Sequence, residues 1–539
     1  MSAGRKIAGL LLAAWVFQIA LVLPDYPDGL VLKTFLRVPL ELPAILLSLA
    51  VLSRGWRATN AIRALLAVAL VVMVLLKIAD IGSFIAFSRP FNLAVDSFVF
   101  DAGPRLAART IGLPLTLLAG IGLIVGLGAL ITALWWASGQ WTGLVRGVGW
   151  RAGASLGAAL CIAAVALQVS GTALKRWPWR ADTTRIAGYH LTRYVETTRS
   201  LRLFYAAAQT DPYAGATDLF TRLQGRDVLI VFIESYGRAS FDNPLYAPTH
   251  LGTLKAAEPR LRQAGLAMRS GWLTSPTAGG QSWLAHSTLE SGLTISDQTR
   301  YRALLASPRK ALFDLAAASG LRTIAVMPGI TMDWPEGPKQ GFQTILAAAD
   351  LGYRGDPFNF VTMPDQFTLA AFDRLVPRSR PDDPLLAQIV LLSSHAPWVP
   401  VPHLVPWNTV GNGTIFNEMA NSGDPPKIVW RDRDRVRDQY RKAIDYSLQS
   451  ILAFAERQTR HPPLMIVLGD HQPASFVAQS ESRDVPVHLI GPPDLVALFD
   501  GWNWTEGLVP DAQTPVWPMR DFRDRFIKTL SAEPSEASG

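Results

Sequence analysis

The chain has 539 residues, enough for two or three domains, and a formal net charge of +8. It is 49% hydrophobic but only 17% charged, whereas soluble domains contain roughly 25% charged residues. The excess of bases does not indicate nucleic-acid binding, because the bases flank apolar runs and form no patch interleaved with aromatic residues. The single cysteine, Cys161, excludes intramolecular disulfides and multi-cysteine metal sites. This composition is typical of a membrane protein with a globular part.

Five apolar segments in the first third of the chain predict membrane-spanning helices. Each has about the ~17–25 residues that a helix needs to cross a bilayer core. The segments are Ile7–Leu23, Phe35–Leu52, Ala61–Phe87, Ile111–Ala137 and Ala152–Ser170. The first could be a signal peptide, but no small-residue cleavage site follows it, so we interpret it as a retained helix. Residues 1–171 are therefore expected to form a transmembrane domain of five helices.

The loop charges orient this domain. Three regions, the amino terminus and the loops 53–63 and 138–151, contain bases but no acids: Arg5, Lys6, Arg54, Arg57, Arg63, Arg146 and Arg151. Such regions face the cytoplasm under the positive-inside rule. Because five crossings place the following chain on the opposite side, the large domain is expected to be extracytoplasmic.

Ionisable residues also occur inside the predicted helices. Arg37 and Glu41 form an i,i+4 pair, and Lys77 and Asp80 form an i,i+3 pair. Charges at membrane depth suggest function, such as contacts to lipid head groups. Mutual neutralisation or snorkelling near the helix ends is the competing interpretation.

The segment 172–224 is predicted to be a juxtamembrane linker. Its first part, from Lys175 to Arg202, is basic and aromatic. Such a composition favours an interfacial helix on the outer membrane face, and a plain linker is the alternative.

Residues 225–530 show the alternation of strands and helices of an α/β domain, with a mostly parallel sheet and helices on both faces. Predicted strands are Val228–Ile233, Leu321–Val326, Gln388–Leu392 and Leu464–Leu468. Predicted helices are Arg309–Ser319, Gln366–Leu375 and Arg437–Gln458. The segment Val399–Pro426 is expected to be a long surface loop, and the tail 531–539 to be disordered.

The stretch from Thr277 to Gly292 begins with a glycine turn, and a helical pattern follows from Ser282. Glycines leave backbone amides uncovered, and a hydroxyl at a helix start lies at the positive end of the helix dipole. Ser282 could therefore be a nucleophile that attacks phosphorus, or part of an anion site. An ordinary helix N-cap is the alternative interpretation.

Three predicted strands end in chemically capable residues. The first ends in Glu234-Ser-Tyr, the third in Ser-Ser-His395 and the fourth in Asp470-His471. Ligands of open α/β sheets gather beyond the carboxyl ends of strands, so we expect these side chains to converge. Glu234, Asp470, His471 and the oxygen of Ser282 would then suit a divalent cation, and the ligand types do not distinguish Zn²⁺ from Mn²⁺.

These pieces, in this order, resemble the alkaline phosphatase/sulfatase superfamily. The similarity is greatest to its membrane branch of lipoteichoic acid synthases, osmoregulated-glucan phosphoglycerol transferases and lipid A phosphoethanolamine transferases. The resemblance implies that Glu234, Asp470 and His471 are metal ligands. It places Ser282 at the nucleophile, which is usually threonine, and His395 at the histidine that binds substrate phosphate.

Further positions match the family less closely. Trp334 corresponds loosely to an aromatic residue of the substrate pocket, and His286 lies where phosphoglycerol transferases often carry glutamate. The segment from Ser282 to His286 lacks the proline and arginine that sulfatases need to form formylglycine, so sulfate-ester hydrolysis is not expected. Phosphoethanolamine transferases usually carry disulfides in this domain, which one cysteine cannot make.

The resemblance implies a multi-pass protein of the bacterial inner membrane with a periplasmic catalytic domain. Its expected reaction moves phosphoglycerol or phosphoethanolamine from a phospholipid to a glycan or lipid acceptor through a phosphoseryl intermediate, with His395 orienting the phosphate or acting as general acid. One Mn²⁺ or Zn²⁺ ion is the expected cofactor, with Mg²⁺ as an alternative. A periplasmic phosphodiesterase and a non-catalytic lipid-sensing regulator are the competing functions.

Overall fold

The computed structural model describes residues 3–87, 89–97, 99–171, 179–377 and 383–532. The chain divides into two compact units, Met1–Leu201 and Arg202–Gly539. The start of the predicted linker, residues 172–178, and most of the predicted tail, residues 533–539, lie outside the described residues.

The first unit is helical. Its helices are α1 (Ala3–Val22), α2 (Leu32–Phe35), α3 (Glu41–Val51), α4 (Arg57–Phe87), α5 (Val99–Ile111), α6 (Leu113–Trp141), α7 (Val148–Val169) and α8 (Asp182–Ala208), of which α8 continues into the second unit. In the described part of the chain, four of them contain stretches long and apolar enough to cross a membrane: Gly4–Val22, Arg57–Ile85, Leu113–Trp141 and Val148–Val169.

The second predicted span differs from the prediction. Instead of one helix over 35–52, the chain forms the short α2, a break at 36–40, and α3 with 11 residues. Pro39 lies in this break, and proline has no N–H to donate to a continuing helix. A helix of this length rises about 16 Å, roughly half of a ~30 Å hydrocarbon core. The count of five membrane-spanning helices is therefore not confirmed.

In the described structure, Arg37 forms no ion pair with Glu41, and Lys77 forms none with Asp80. The Lys77 ammonium donates to the carbonyl oxygen of Leu21 (2.8 Å) and to the hydroxyl of Thr183 (2.9 Å). Asp80 instead accepts from the backbone N–H of Phe91 (2.9 Å) and contacts the His190 imidazole (2.9 Å).

Glu41 likewise contacts another element, since one of its oxygens accepts from the backbone N–H of Thr184 at 3.0 Å. These charged groups thus join α1, α3 and α4 to α8. The helix α8 also occupies much of the predicted linker, and its location at a membrane surface stays a prediction.

In its described residues, the second unit is built on one mixed sheet of nine strands. They are β1 (Val228–Ile233), β2 (Ala267–Thr274), β3 (Arg322–Met327), β4 (Thr344–Ala347), β5 (Leu385–Leu391), β6 (Leu464–Gly469), β7 (Asp484–Gly491), β8 (Thr505–Glu506) and β9 (Val516–Pro518). The order is β4-β3-β5-β1-β6-β7-β2-β8, and β9 pairs with β2. The strands from β4 to β6 in this order are parallel, and β7 and β8 run antiparallel to their neighbours. The mostly parallel sheet is confirmed.

Helices cover both faces of the sheet. They are α9 (Ala239–Asp242), α10 (Ala247–Gln263), α11 (Ser282–Ser291), α12 (Gln298–Leu305), α13 (Leu312–Ala318), α14 (Asp365–Leu375), α15 (Asn417–Ala420), α16 (Pro426–Val429), α17 (Arg433–Arg457), α18 (Ser475–Ala478), α19 (Pro493–Ala497) and α20 (Phe522–Leu530). Alternate residues of β1 belong to different apolar clusters, because successive side chains of a strand point to opposite faces. Val231 packs in a cluster with α10, α14 and α17, whereas Ile230 packs in a cluster with α11, α13 and α20.

Strand register positions the site. The last residue of β1, Ile233, pairs with Leu391 of β5 on one side and with Gly469 of β6 on the other. The residues that follow these three strands therefore leave the sheet at the same level of its carboxyl edge.

Candidate active site

Three buried side chains converge at this edge. Glu234 follows β1, and Asp470 and His471 follow β6. Their potential ligand atoms all lie within 4.8 Å of one another. The His471 Nε2 atom is 3.3 Å from Glu234 Oε1 and 3.7 Å from Asp470 Oδ2. Together these atoms present two oxygens and one nitrogen to a common point.

Neighbouring backbone groups fix the orientation of the three side chains. Asp470 Oδ1 accepts from the backbone N–H groups of Ser235 (2.8 Å) and His471 (2.6 Å). Asp470 Oδ2 has no hydrogen-bond partner among the described residues, although the side chain is fully buried. The His471 Nδ1 atom lies 2.8 Å from the carbonyl oxygen of Gln472, a contact that places the proton on Nδ1 and leaves Nε2 for a ligand.

The three buried groups shift one another's pKa values. Burial raises the pKa of Asp470 to about 7, and the charge of Glu234 adds to this shift. Burial alone would lower the pKa of His471, but Asp470 and Glu234 outweigh it and raise that pKa to about 9. For Glu234, the attraction to His471 outweighs the effect of burial and holds the pKa well below its usual range. Two buried carboxylates, one with an unpartnered oxygen, and an imidazole whose Nε2 proton a metal ion can replace fit a divalent metal ion.

The predicted glycine turn brings Ser282 to this cluster. Gly279 and Gly280 have φ angles of 74° and 143°, and Gln281 is left-handed with φ 66°. The helix α11 then begins at Ser282, and its N-cap is Gln281, whose side chain makes no capping bond. The alternative of Ser282 as an ordinary N-cap is thus not what the structure has.

The hydroxyl of Ser282 contacts two of the candidate ligands. It donates to Glu234 Oε2 at 2.8 Å and lies 3.2 Å from His471 Nε2. Ser282 is half-buried, in contrast to the fully enclosed cluster behind it. A bound substrate can therefore approach the oxygen from solvent while the other groups stay dry.

His395 enters the same edge from the end of β5. Its Nδ1 atom lies 2.5 Å from the carbonyl oxygen of Ala396, and its half-buried ring is close enough to Glu234 to help lower the pKa of that carboxyl. The turn is held from behind, since the Ser394 hydroxyl donates to the carbonyl oxygen of Glu234 at 2.6 Å. His395 thus shares the edge with Ser282 and the three candidate ligands.

The two remaining predicted residues lie differently. His286 is one turn beyond Ser282 on α11 and is buried, with its ring 4.0 Å from that of Phe232. Burial lowers its pKa to about 3, so the imidazole is neutral, and Nε2 has no hydrogen-bond partner in the described chain. The Trp334 ring packs against Phe342, with the ring centroids 6.1 Å apart.

Sequence reasoning missed a buried network that supports the β5 turn. Asp365, the first residue of α14, accepts from the backbone N–H of Ser393 (2.8 Å) and from the hydroxyl of Ser447 on α17 (2.6 Å). Ser447 in turn lies 3.4 Å from Ser394. No local pattern pairs these residues, because Asp365 and Ser447 are 82 positions apart.

Two further residues, Gly469 and Gln472, shape the β6 turn. They flank the Asp470-His471 pair in the sequence, so their position beside this pair could have indicated their role. A Cβ atom at Gly469 would lie 1.7 Å from the carbonyl oxygen of Tyr236, so only glycine fits there. The carbonyl oxygen of Gln472 accepts from the N–H of Gly279 at 2.8 Å. That bond joins the β6 turn to the glycine turn and sets the distance between His471 and Ser282.

Comparison with known proteins agrees with this arrangement. Residues 226–488, nearly half of the chain, match the sulfatase family model. This range contains the three site-bearing strands and the turn with Ser282. No curated protein matches the chain in sequence.

Several solved structures are distantly similar. The lipoteichoic acid synthase LtaP from Listeria monocytogenes is 11% identical, with a TM-score of 0.37, over 62% of this chain and 78% of that chain. The phosphoglycerol transferase GacH from Streptococcus pyogenes is 14% identical, with a TM-score of 0.37, over 62% and 81%. The zinc complex of the periplasmic domain of EptC from Escherichia coli is 12% identical, with a TM-score of 0.36, over 58% and 84%.

The assignment rests on the match to the family model, which spans the part of the chain that holds the candidate site. The chain therefore contains a domain that matches the sulfatase family, over residues 226–488.

Proposed function

We propose that this protein is a membrane-bound, metal-dependent transferase. It moves a phosphoglycerol or phosphoethanolamine group from a phospholipid to a glycan or lipid acceptor, with Ser282 as the nucleophile. The observation that carries the proposal is the position of the Ser282 hydroxyl, 2.8 Å from Glu234 Oε2 and 3.2 Å from His471 Nε2, at the mouth of a buried cation-binding cluster.

Glu234, Asp470 and His471 would hold the metal ion, with the oxygen of Ser282 as a further ligand. Mn²⁺ or Zn²⁺ suits this mixture of oxygen and nitrogen donors, and Mg²⁺ is the alternative. When bound, the ion supplies Lewis acidity, which lowers the pKa of a hydroxyl and polarises a phosphoryl oxygen.

The residues of the chain carry the two transfer steps. In the first, the Ser282 oxygen forms a bond to phosphorus, its proton is released to solvent, and the bond from phosphorus to the diacylglycerol oxygen breaks. In the second, an acceptor hydroxyl attacks phosphorus, the bond to Ser282 breaks, and the serine oxygen regains its proton. The phosphoseryl intermediate divides one difficult displacement into two easier ones.

His395 exchanges protons with the departing diacylglycerol oxygen and with the attacking acceptor hydroxyl. Its contact from Nδ1 to the Ala396 carbonyl oxygen turns Nε2 away from the backbone. In the protonated form it orients the phosphate and protonates the diacylglycerol oxygen in the first step. The neutral imidazole then accepts the proton of the acceptor hydroxyl in the second step.

The helices of the first unit supply the membrane attachment that a lipid donor requires. Four described helices are long and apolar enough to cross a membrane. We place the protein in the bacterial inner membrane with its catalytic domain in the periplasm, where phospholipid donors and envelope acceptors are both accessible.

Labelled donors test the reaction directly. The full-length protein, loaded with Mn²⁺ or Zn²⁺, is given phosphatidylglycerol or phosphatidylethanolamine labelled in the head group, and the label is followed. Transfer to a glycan or lipid is expected, whereas release of the labelled phosphate ester into water would identify the phosphodiesterase alternative.

The matched variants are Ser282→Ala and Ser287→Ala. Ser287 lies on the same helix, and its buried hydroxyl has no hydrogen-bond partner among the described residues. Only Ser282→Ala should abolish transfer, and an unchanged rate in that variant would overturn the mechanism. A folded wild-type protein that takes up no metal would favour the regulator.

Labelling of introduced cysteines tests the orientation. In a Cys161→Ser background, Ser480→Cys places a thiol on an exposed loop of the second unit, and Arg146→Cys places one between α6 and α7. A membrane-impermeant maleimide should label position 480 in spheroplasts and position 146 only after lysis. The reverse pattern would refute the periplasmic location.

A further inference from the structure

A cavity of about 490 Å³ lies within the first unit. Its wall is formed by the end of α1, the chain between α2 and α3, and the start of α8. Ligand sites in proteins typically have volumes of about 300–1,000 Å³. Since Arg37 lines it, we call it the Arg37 cavity.

Buried polar contacts hold the elements around this cavity in place. The Gln18 side-chain amide on α1 donates to the carbonyl oxygen of Arg37. The Thr183 hydroxyl on α8 donates to the carbonyl oxygen of Leu21 at 2.6 Å, and the backbone N–H of Leu40 donates to the carbonyl oxygen of Arg180 at 3.0 Å. The wall is therefore fixed by hydrogen bonds between all three of its segments.

Among the charged residues that line the cavity, the guanidinium of Arg37 is available to bind an anion. Asp182 lies between two of the three lining arginines, 3.5 Å from Arg180 and 3.4 Å from Arg185. Arg37 makes no ion pair with any described residue, and neither does Asp25. Three arginines and two aspartates give an excess of one positive charge, which matches the single negative charge of a phosphodiester.

Exposed apolar side chains are close in sequence to the residues that line the cavity. Leu32 and Leu36 are 77% and 66% exposed, and Val38, which lines the cavity, is 50% exposed. Such a run beside arginines combines the two chemistries of a phospholipid, a charged head group and apolar tails. A free phosphate ion would use the arginine alone.

We propose that the Arg37 cavity binds the head group of a membrane phospholipid. Arg37 contacts the phosphodiester, and Asp25 accepts from the hydroxyl or ammonium group beyond it. The acyl chains lie along Leu32 and Leu36. This lipid site belongs to the first unit and is additional to the catalytic cluster of the second unit.

Native mass spectrometry of the full-length protein in mild detergent tests the site. The Ser282→Ala variant serves as the background, so that binding is measured without turnover. After delipidation, the protein is titrated with phosphatidylethanolamine, with phosphatidylglycerol and with inorganic phosphate. The comparison adds Arg37→Gln, the charge-preserving Arg37→Lys, and the control Arg5→Gln, whose exposed residue lies near the other end of α1.

Phospholipid should bind the background and the Arg5→Gln protein with equal affinity. Arg37→Gln should weaken binding at least tenfold, Arg37→Lys should retain most of it, and inorganic phosphate should not compete at millimolar concentration. Equal affinities of the Arg37→Gln and Arg5→Gln proteins would overturn the proposal, and competition by inorganic phosphate would assign the cavity to free anions. Because Ser282 is absent throughout, these outcomes are independent of whether the proposed transfer reaction is correct.

Discussion

Both units of the chain bury ionisable side chains, but the hydrogen-bond partners of these side chains differ between the units. In the first unit, Lys77 is fully buried and donates to a carbonyl and a hydroxyl oxygen, and Asp80 receives a backbone N–H and an imidazole. In the second unit, Asp470 is equally buried, yet one of its two oxygens has no partner among the described residues.

The difference separates structural charges from functional ones. A buried charge whose hydrogen-bonding capacity is satisfied joins elements together, and its removal costs stability. A buried carboxylate oxygen left without a partner carries a desolvation penalty that a ligand can repay. Lys77 and Asp80 therefore hold helices in place, whereas the unpartnered oxygen of Asp470 suits a cation.

The largest effect is expected from Asp470→Asn. Loss of the charge should remove the bound metal and lower transfer by about 10³-fold, beyond the 10–100-fold that outer partners of metal ligands typically cost. Metal analysis and head-group transfer are the measurements. The control is Asp494→Asn, because Asp494 is an exposed carboxylate paired with Arg226 at 2.9 Å. Full metal content in Asp470→Asn would contradict the distinction between structural buried charges in the first unit and a metal-binding carboxylate in the second.

Gly469→Ala tests the turn that presents Asp470. The new Cβ would lie 1.7 Å from the carbonyl oxygen of Tyr236, so the turn must shift, and we expect the free energy of unfolding to fall by about 3 kcal/mol. Chemical denaturation of the full-length protein measures it. Gly501→Ala is the matched control, since no atom lies within 4 Å of its Cβ position. Equal stability of the two variants would show that the turn is not constrained as described.

Lys77→Met tests whether the buried charge of Lys77 in the first unit is structural. Methionine nearly fills the volume but leaves the Leu21 carbonyl oxygen without the ammonium donor, so a loss of about 2 kcal/mol is expected. Thermal unfolding in detergent should show it, while the metal content of the purified protein stays unchanged. Metal loss with unaltered stability would instead assign Lys77 a functional role.

The smallest effect concerns a buried histidine away from the site. Burial lowers the pKa of His250 to about 4, whereas an unfolded chain has a histidine pKa of about 6.5. Between these values the unfolded chain binds a proton that the folded protein does not. Stability should therefore fall as the pH decreases through this window, by up to about 1.4 kcal/mol per pH unit.

His250→Gln should make the difference in unfolding free energy between pH 7 and pH 5 smaller. His403→Gln, at an exposed position, is the control. An identical pH dependence in wild type and His250→Gln would contradict the assignment.

Patterns that are local in sequence predicted much of the second unit. The continuous apolar run of β1 and the residues after β1, β5 and β6 were sufficient to expect a parallel sheet with Glu234, His395 and Asp470 at one edge. The antiparallel part was missed, because β2 and β7 carry polar residues inside. Ser270 and His488, which contact each other across these strands at 2.9 Å, interrupt the apolar pattern.

The remaining features depend on contacts between distant residues. The support of the β5 turn by Asp365 and Ser447 has no signature in either helix alone. In the first unit, hydropathy predicted one span over 35–52. In the structure the helix is interrupted near Pro39, and the Glu41 carboxylate accepts a hydrogen bond from the backbone N–H of Thr184 on α8. Apolar content alone did not predict where this helix begins.

The most direct test of the account is to isolate the covalent intermediate. Full-length protein loaded with metal is mixed with phosphatidylglycerol or phosphatidylethanolamine, quenched in acid, digested and mapped by mass spectrometry. We predict that the mass of a phosphoglycerol or phosphoethanolamine group appears on Ser282, in wild type and in Ser287→Ala but not in Ser282→Ala. Active transfer with the adduct on another residue, or an adduct that persists in Ser282→Ala, would contradict the central claim that this serine carries the transferred group.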